Sequence, residues 1–434
     1  MTKRITISHF VRTSIAALTI SAAVANAADA IAVRGETIYT MAGEPIRDGI
    51  IIIRDGKIDR VGKAADVRIA GDIRMLRAKV VTPGLIDAHA TIGLTGYLNQ
   101  TQDQDILERS EAIQPELRAF DAYNPRERLV EWARSFGVTT VHTGHAPGEV
   151  ISGQTMIVKL AGTTVEADAM RNEAMIACTL GDWATHGDRK TPGTRSKAVA
   201  ILRSELIKAQ AYAQKVKDAK EASDKKSDSE APKDGEAEKD RTPKAPDRDL
   251  RLEALARVIN REIPLLVTAH RANDIAVALR LAKEFDIDIV LDGAAEAHML
   301  IDEIRAAGVL VILHPTMVRS HRGACENASF ETAAKLVHAG IPVAMQSGYE
   351  DYVPKTRIVL FETAIAAANG LSFQEALATC TIDAAKILRI SDRVGSIEAG
   401  KDADIALYDG DPFEYTSHCV GVLINGQVVS EVAQ

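Results

Sequence analysis

Residues 263–348 read IPLLVTAHRANDIAVALRLAKEFDIDIVLDGAAEAHMLIDEIRAAGVLVILHPTMVRSHRGACENASFETAAKLVHAGIPVAMQSG. Four short apolar runs (IPLLVTAH, IDIVLDG, GVLVILHP and IPVAMQSG) alternate here with the amphipathic stretches DIAVALRLAKEF, EAHMLIDEIRAAG and SFETAAKLVHAG. The runs are apolar almost throughout rather than at every second residue, as parallel strands covered on both faces require. Upstream, VVTPGLIDAH (80–89), RERLVEWARSFG (126–137) and GVTTVHTG (137–144) keep the same rhythm. A barrel of eight such units needs about 250 residues, and 82–398 can supply them. The expected fold is therefore α/β, a TIM barrel (β/α)8. A doubly wound open sheet is the competing arrangement, which periodicity alone does not separate from it.

The two ends read differently. Residues 28–81 contain IAVRGETIYTM and DGIIIIRDGKIDRVG, and residues 399–434 contain ADIALYDGD and VGVLINGQVVS. Asp55-Gly56 and Asn425-Gly426 are hairpin-turn dipeptides. Both ends are expected to meet in one small composite β-sandwich domain.

The chain has 434 residues, 46% hydrophobic and 26% charged, which is enough for a large core and excludes a small module or a fibre. Its net charge of −8 and lack of a long basic stretch speak against nucleic acid. Four cysteines, none in a CxxC, do not make a disulfide scaffold and leave pairing open. Residues 1–27 combine Lys3, Arg4 and Arg12, an apolar run of Thr13–Ala25 and a small-x-small site at Ala25–Ala27. This predicts a cleaved signal peptide and a periplasmic protein; the apolar run falls short of the roughly 20 residues of a membrane span. Residues 215–248 carry ten basic and ten acidic side chains without a hydrophobic period, and are expected to be a disordered charged insertion.

In a parallel barrel, ligands sit at the C-terminal ends of the strands. His89, His142, His145, His270 and His314 all end or follow strand-like runs, and Lys159 lies in MIVKLAG. A polar mouth is expected there. His142, His145, Arg271, His314 and His321 are its candidate substrate contacts.

The chain resembles the amidohydrolase superfamily, in particular its imidazolonepropionase-like branch. The resemblance rests on VVTPGLIDAH (80–89), GVTTV (137–141), GQTMIVKLAG (153–162), HRANDIAVALRLA (270–282) and, most specifically, ATCTIDAAKILRISDRVGSIEAGKDADIALYDGDPF (378–413). It implies a TIM barrel whose mouth holds one or two divalent ions, commonly zinc, that polarise a carbonyl and activate water. By this resemblance His89 and Lys159 are candidate metal residues; in a relocated centre His270 is a third candidate metal residue, with His270 and Asp351 the candidate catalytic ones.

Four positions depart from the family's pattern. Thr91 stands where the second histidine of the first strand belongs, Thr268 at the fifth-strand position and Gly293 at the sixth-strand histidine. Gly348 replaces the eighth-strand aspartate, with Glu350 and Asp351 displaced beside it. Two functions follow. One is a hydrolase of non-peptide C–N bonds or small dipeptide-like amides with a remodelled centre holding one divalent metal, taking an amide or lactam substrate. The other is a catalytically inactive relative without metal, acting as a ligand-binding or partner subunit, as a homo-oligomer or paired with an active homologue.

Overall fold

The computed structural model describes residues 30–69, 73–98, 100–187, 191–228, 245–314, 323–349 and 358–431. The expected export segment, His321, Glu350 and Asp351 lie outside the described residues.

Four strands open the chain: β1 (Ile31–Ile38), β2 (Ile46–Arg54), β3 (Lys57–Lys63) and β4 (Arg74–Pro83). The barrel wall follows with β5 (Leu85–Ala90), β6 (Val138–Thr143), β7 (Ile151–Gln154), β8 (Met156–Lys159), β9 (Ala169–Arg171) and β10 (Ile176–Thr179). It continues with β11 (Leu265–Ala269), β12 (Ile289–Gly293), β13 (Leu310–Leu313) and β14 (Val343–Ala344). Strands β15 (Ile405–Tyr408), β16 (Cys419–Ile424) and β17 (Gln427–Glu431) close the chain.

Both ends share one seven-stranded sheet in the order β17-β16-β15-β4-β1-β2-β3. At the two hairpin turns, Asp55 and Gly56 (φ 50° and 76°) and Asn425 and Gly426 (φ 49° and 72°) take the paired positive φ of a tight primed turn. The sheet curls onto itself, with Ile58 N donating to Lys401 O at 2.9 Å. Ile51, Ile53, Ile58, Ile405, Leu407 and Leu423 fill the space between its halves.

The barrel wall is not the uniform run of parallel strands that the sequence suggested. Strands β10 to β14 are parallel to one another, and β5 is parallel to β6. Between these groups the chain runs the other way: β7 is antiparallel to β10, and β8 is antiparallel to β6. The physical reason is the connection. Residues 144–150 join β6 to β7 without a helix, and a parallel crossover needs about a dozen residues. Ala88 N donates to Met345 O (3.1 Å) and Gly348 N to His89 O (3.2 Å), joining the last stave to the first.

The expected charged insertion is described only in part, residues 229–244 lying outside the described residues. Its first part, through residue 228, continues the 34-residue helix Arg195–Asp228. Lys, Ala, Glu and Gln are good helix formers and no Pro or Gly interrupts them before Pro232. No helix among the described residues is long and apolar enough to cross a membrane.

Candidate functional site

Inside the barrel, side chains of one face stack in layers. Ile86, Ile157, Leu266, Val290, Ile312 and Ala344 belong to one apolar cluster. Two residues further along four of those strands come Thr268, Asp292, His314 and Gln346, all buried. A strand's period of two brings them to the same face, so an apolar layer is succeeded by a polar one at the mouth. On β5, an irregularity of register between Asp87 and Ala90 accompanies the placement of His89 in this layer.

Asp292 is its centre. Oδ1 lies 3.0 Å from His89 Nδ1 and accepts from Gln346 Nε2 at 2.9 Å, while Oδ2 accepts from the Thr268 hydroxyl at 2.6 Å. Burial opposes the charge of this carboxyl, but the facing His89 ring and the hydrogen bonds from His89, Thr268 and Gln346 hold it below the ordinary carboxylate range. Nearby Asp87 goes the other way. Burial raises it to about 6 although Ser347 N donates to it at 3.0 Å. Rings line the adjoining space: Tyr349 lies 5.3 Å and His142 5.7 Å from His89, centroid to centroid, and Trp183 lies 4.6 Å from His270.

The residues expected at the mouth take different places. His89 and His270 come together there, with Tyr349 between them; its hydroxyl is 3.1 Å from His270 Nε2. His314 is fully buried, its backbone N–H donating to Gly293 O at 2.7 Å.

His142 is built into the wall, and His145 is buried beside Gly153 in the segment that follows β6. Both ring nitrogens of His142 are engaged, Nδ1 with Ala88 O (2.7 Å) and Nε2 with the Thr155 hydroxyl (2.6 Å). Burial, with the neighbouring His89, lowers His142 to about 3, and burial lowers His145 to about 4. Arg271 sits at the rim, donating to Gly323 O at 3.0 Å and lying 3.4 Å from Asp182.

Lys159 is at the opposite end of the barrel, so the expectation that it holds metal at the mouth fails. It closes the reversed stave, where Nζ donates to Asp402 (2.8 Å), Asp404 (3.0 Å) and Asn425 (2.5 Å) of the C-terminal segment. The last residue of an antiparallel stave faces the bottom of the barrel.

Sequence reading passed over Asp292, Gln346, Tyr349 and Trp183. The signal for the first two was available: Asp292 follows Val290, and Gln346 follows Ala344, at the same two-residue step as Thr268 after Leu266. Tyr349 and Trp183 lie in loops and carry no such signal.

The substituted family positions explain each other in space. Gly293 has φ 78°, and a Cβ there would lie 2.5 Å from His270 Cε1; the His270 ring fills the volume a residue-293 side chain would need. Gly348 has φ 105°, a conformation that an L side chain such as aspartate rarely adopts. Thr91 is fully buried, and a hydroxyl is a weak zinc ligand compared with imidazole. Among the described residues no three His, Cys, Asp or Glu side chains are grouped to hold a metal ion. The residues present do not fit the family's metal centre.

The sequence profile of the amidohydrolase family matches residues 94–430, most of the chain. This chain belongs to the amidohydrolase family. An amidohydrolase structure from Thermotoga maritima is 26% identical and superposes with a TM-score of 0.81, covering 93% of this chain and all of the other. Among curated amidohydrolase relatives, "Amidohydrolase tasK" of Hapsidospora irregularis is 24% identical over 90% of this chain; the chain spans only 42% of that relative's length. An imidazolonepropionase of Solibacter usitatus is 23% identical over 88% of this chain and 93% of its own length.

Proposed function

We propose that this chain is an imidazolonepropionase-like amidohydrolase relative that has lost the family's hydrolytic metal centre and serves as a ligand-binding or partner subunit. One observation carries the reading. The mouth is occupied by a carboxylate, Asp292, that is already bound by His89, Thr268 and Gln346, while the His270 ring takes the space of a side chain at Gly293. Zinc would have to break the His89–Asp292 contact and would find no further grouped imidazoles or carboxylates among the described residues. Hydrolysis by a remodelled centre is the competing outcome.

The test is elemental analysis of the full chain purified without chelator, with turnover of a panel of amides and lactams measured alongside. The expected result is zinc well below one equivalent and no chelator-sensitive turnover. One equivalent of tightly held zinc with turnover abolished by chelator would overturn the proposal.

A further inference from the structure

The contacts around Asp292 fix the polarity of the groups that make them. A carboxylate facing His89 Nδ1 at 3.0 Å places a proton on that nitrogen, so a ring carrying a single proton has its lone pair on Nε2. The Gln346 amide nitrogen faces two acceptors, Asp292 Oδ1 at 2.9 Å and Ile312 O at 3.4 Å, so the amide orientation is fixed and Oε1 is its other end. The Thr268 hydroxyl spends its hydrogen on Asp292 Oδ2. Donors point inward to the anion, and acceptors are left on the far side of the groups that supplied them. His89 Nε2 and Gln346 Oε1 are buried and have no hydrogen-bond partner, and neither does the Thr91 hydroxyl. Buried polar atoms are nearly always paired with protein, water or ligand.

We propose that this face of the polar layer is a binding site for a small N–H donor, an ammonium ion or a compact amide, received by His89 Nε2 and Gln346 Oε1 with Asp292 behind them as the attracting charge. The proposal rests on the reading that the metal centre is absent, because a metal on His89 would compete for the same lone pair. An incoming acceptor would meet lone pairs at His89 Nε2 and Gln346 Oε1, and only hydroxyls such as those of Thr91 and Ser347 could turn to donate. The ligand class is thus set by which hydrogens Asp292 has already taken.

The test uses the full chain as purified, its zinc content measured, with histidine labelled by nitrogen-15 and the His89 signals assigned by their loss in His89→Phe. Long-range proton–nitrogen spectra report which ring nitrogen carries the proton. Ammonium chloride, against sodium chloride at equal ionic strength, and pyrrolidin-2-one are titrated separately. The expected result is an unprotonated Nε2 in the free protein and a saturable shift of that nitrogen with at least one probe. A response to ammonium alone identifies a cationic donor, and one to pyrrolidin-2-one alone an amide. Affinity should fall at least tenfold in Asp292→Asn. If that variant does not fold, the protonation state and titration of the unaltered protein decide the matter. A protonated Nε2 in the free protein, no saturable shift with either probe, or unchanged affinity in a folded Asp292→Asn would overturn the proposal. Absence of a shift in zinc-free protein defeats only the donor site; stoichiometric zinc with chelator-sensitive turnover defeats the reading beneath it.

Discussion

The two ends of the barrel each bury a polar cluster, and the clusters are completed differently. At the bottom, Lys159 offers three hydrogens and three side-chain oxygens receive them, from Asp402, Asp404 and Asn425. Lys57 and Arg393 add to Asp402, and Asn425 N donates to Asp404 Oδ1 at 2.8 Å. Burial would raise Asp402, but Lys159 and Lys57 bring it down to about 2; burial outweighs Lys159 at Asp404 and raises its carboxyl. At the mouth, three donors serve one anion, and acceptors on two of those same side chains are left over. The bottom cluster is a fastening between the reversed stave and the C-terminal segment, in which Asp404 Oδ2 has an ion-pair contact with Lys159 at 2.9 Å but no hydrogen bond. The mouth cluster is closed toward the barrel and open, chemically, on its other side. Equal burial therefore does not mean equal pairing: at the bottom a cation faces two carboxylates, whereas at the mouth His89 Nε2 and Gln346 Oε1 face no donor.

The contrast can be broken at the fastening first. Lys159→Met keeps the volume but leaves Asp404 buried without its cation, and removing one partner of a buried pair costs roughly 3–5 kcal/mol. Chemical denaturation should show a loss of that size, partly recovered by adding Asp404→Asn. A loss below about 1 kcal/mol would mean that the bottom cluster is not a fastening.

A smaller effect is expected at the mouth. Gly293→His puts a side chain into the space of the His270 ring at a positive φ, and overpacking of this kind costs about 1–3 kcal/mol. Adding His270→Ala should recover a measurable part by emptying that space. Strict additivity of the two substitutions would show that the ring does not stand in for the family's side chain.

The smallest effect is a pH slope. His142 and His145, lowered to about 3 and 4, stay neutral in the folded chain at pH 5 but take up protons when unfolded. Asp87, raised to about 6, holds a proton in the folded chain that the unfolded chain releases at pH 5. The histidines give stability that is lost as pH falls below their unfolded value near 6.5; Asp87 gives stability that is lost as pH rises toward 6. Their balance is a net uptake of about one proton on unfolding at pH 5, or about 1.4 kcal/mol of stability lost per pH unit there. Denaturation midpoints measured between pH 4.5 and 7 should fall on the acid side. A midpoint that rises toward pH 5 would show that these histidines are not held neutral in the wall.

Much of this was legible in the sequence because it is local. Asp55-Gly56 and Asn425-Gly426 specify their turns through two adjacent backbone conformations. Apolar runs four to six residues long specify buried strands, and Thr91, Thr268, Gly293 and Gly348 stand out only against the ligand pattern that the family resemblance implies. Residues 215–228 misled because their mixed charge reads as solvated, while good helix formers can hold a solvated helix attached to a packed one.

What only the tertiary structure decided is direction and company. Lys159 belongs to the bottom because its stave runs backward, and strand periodicity is the same in either direction. His270 fills the space beside Gly293, and Asp292 gathers His89, Thr268 and Gln346, because barrel closure brings four separate strands to one layer. No spacing along the chain encodes that convergence; it is a property of the closed wall.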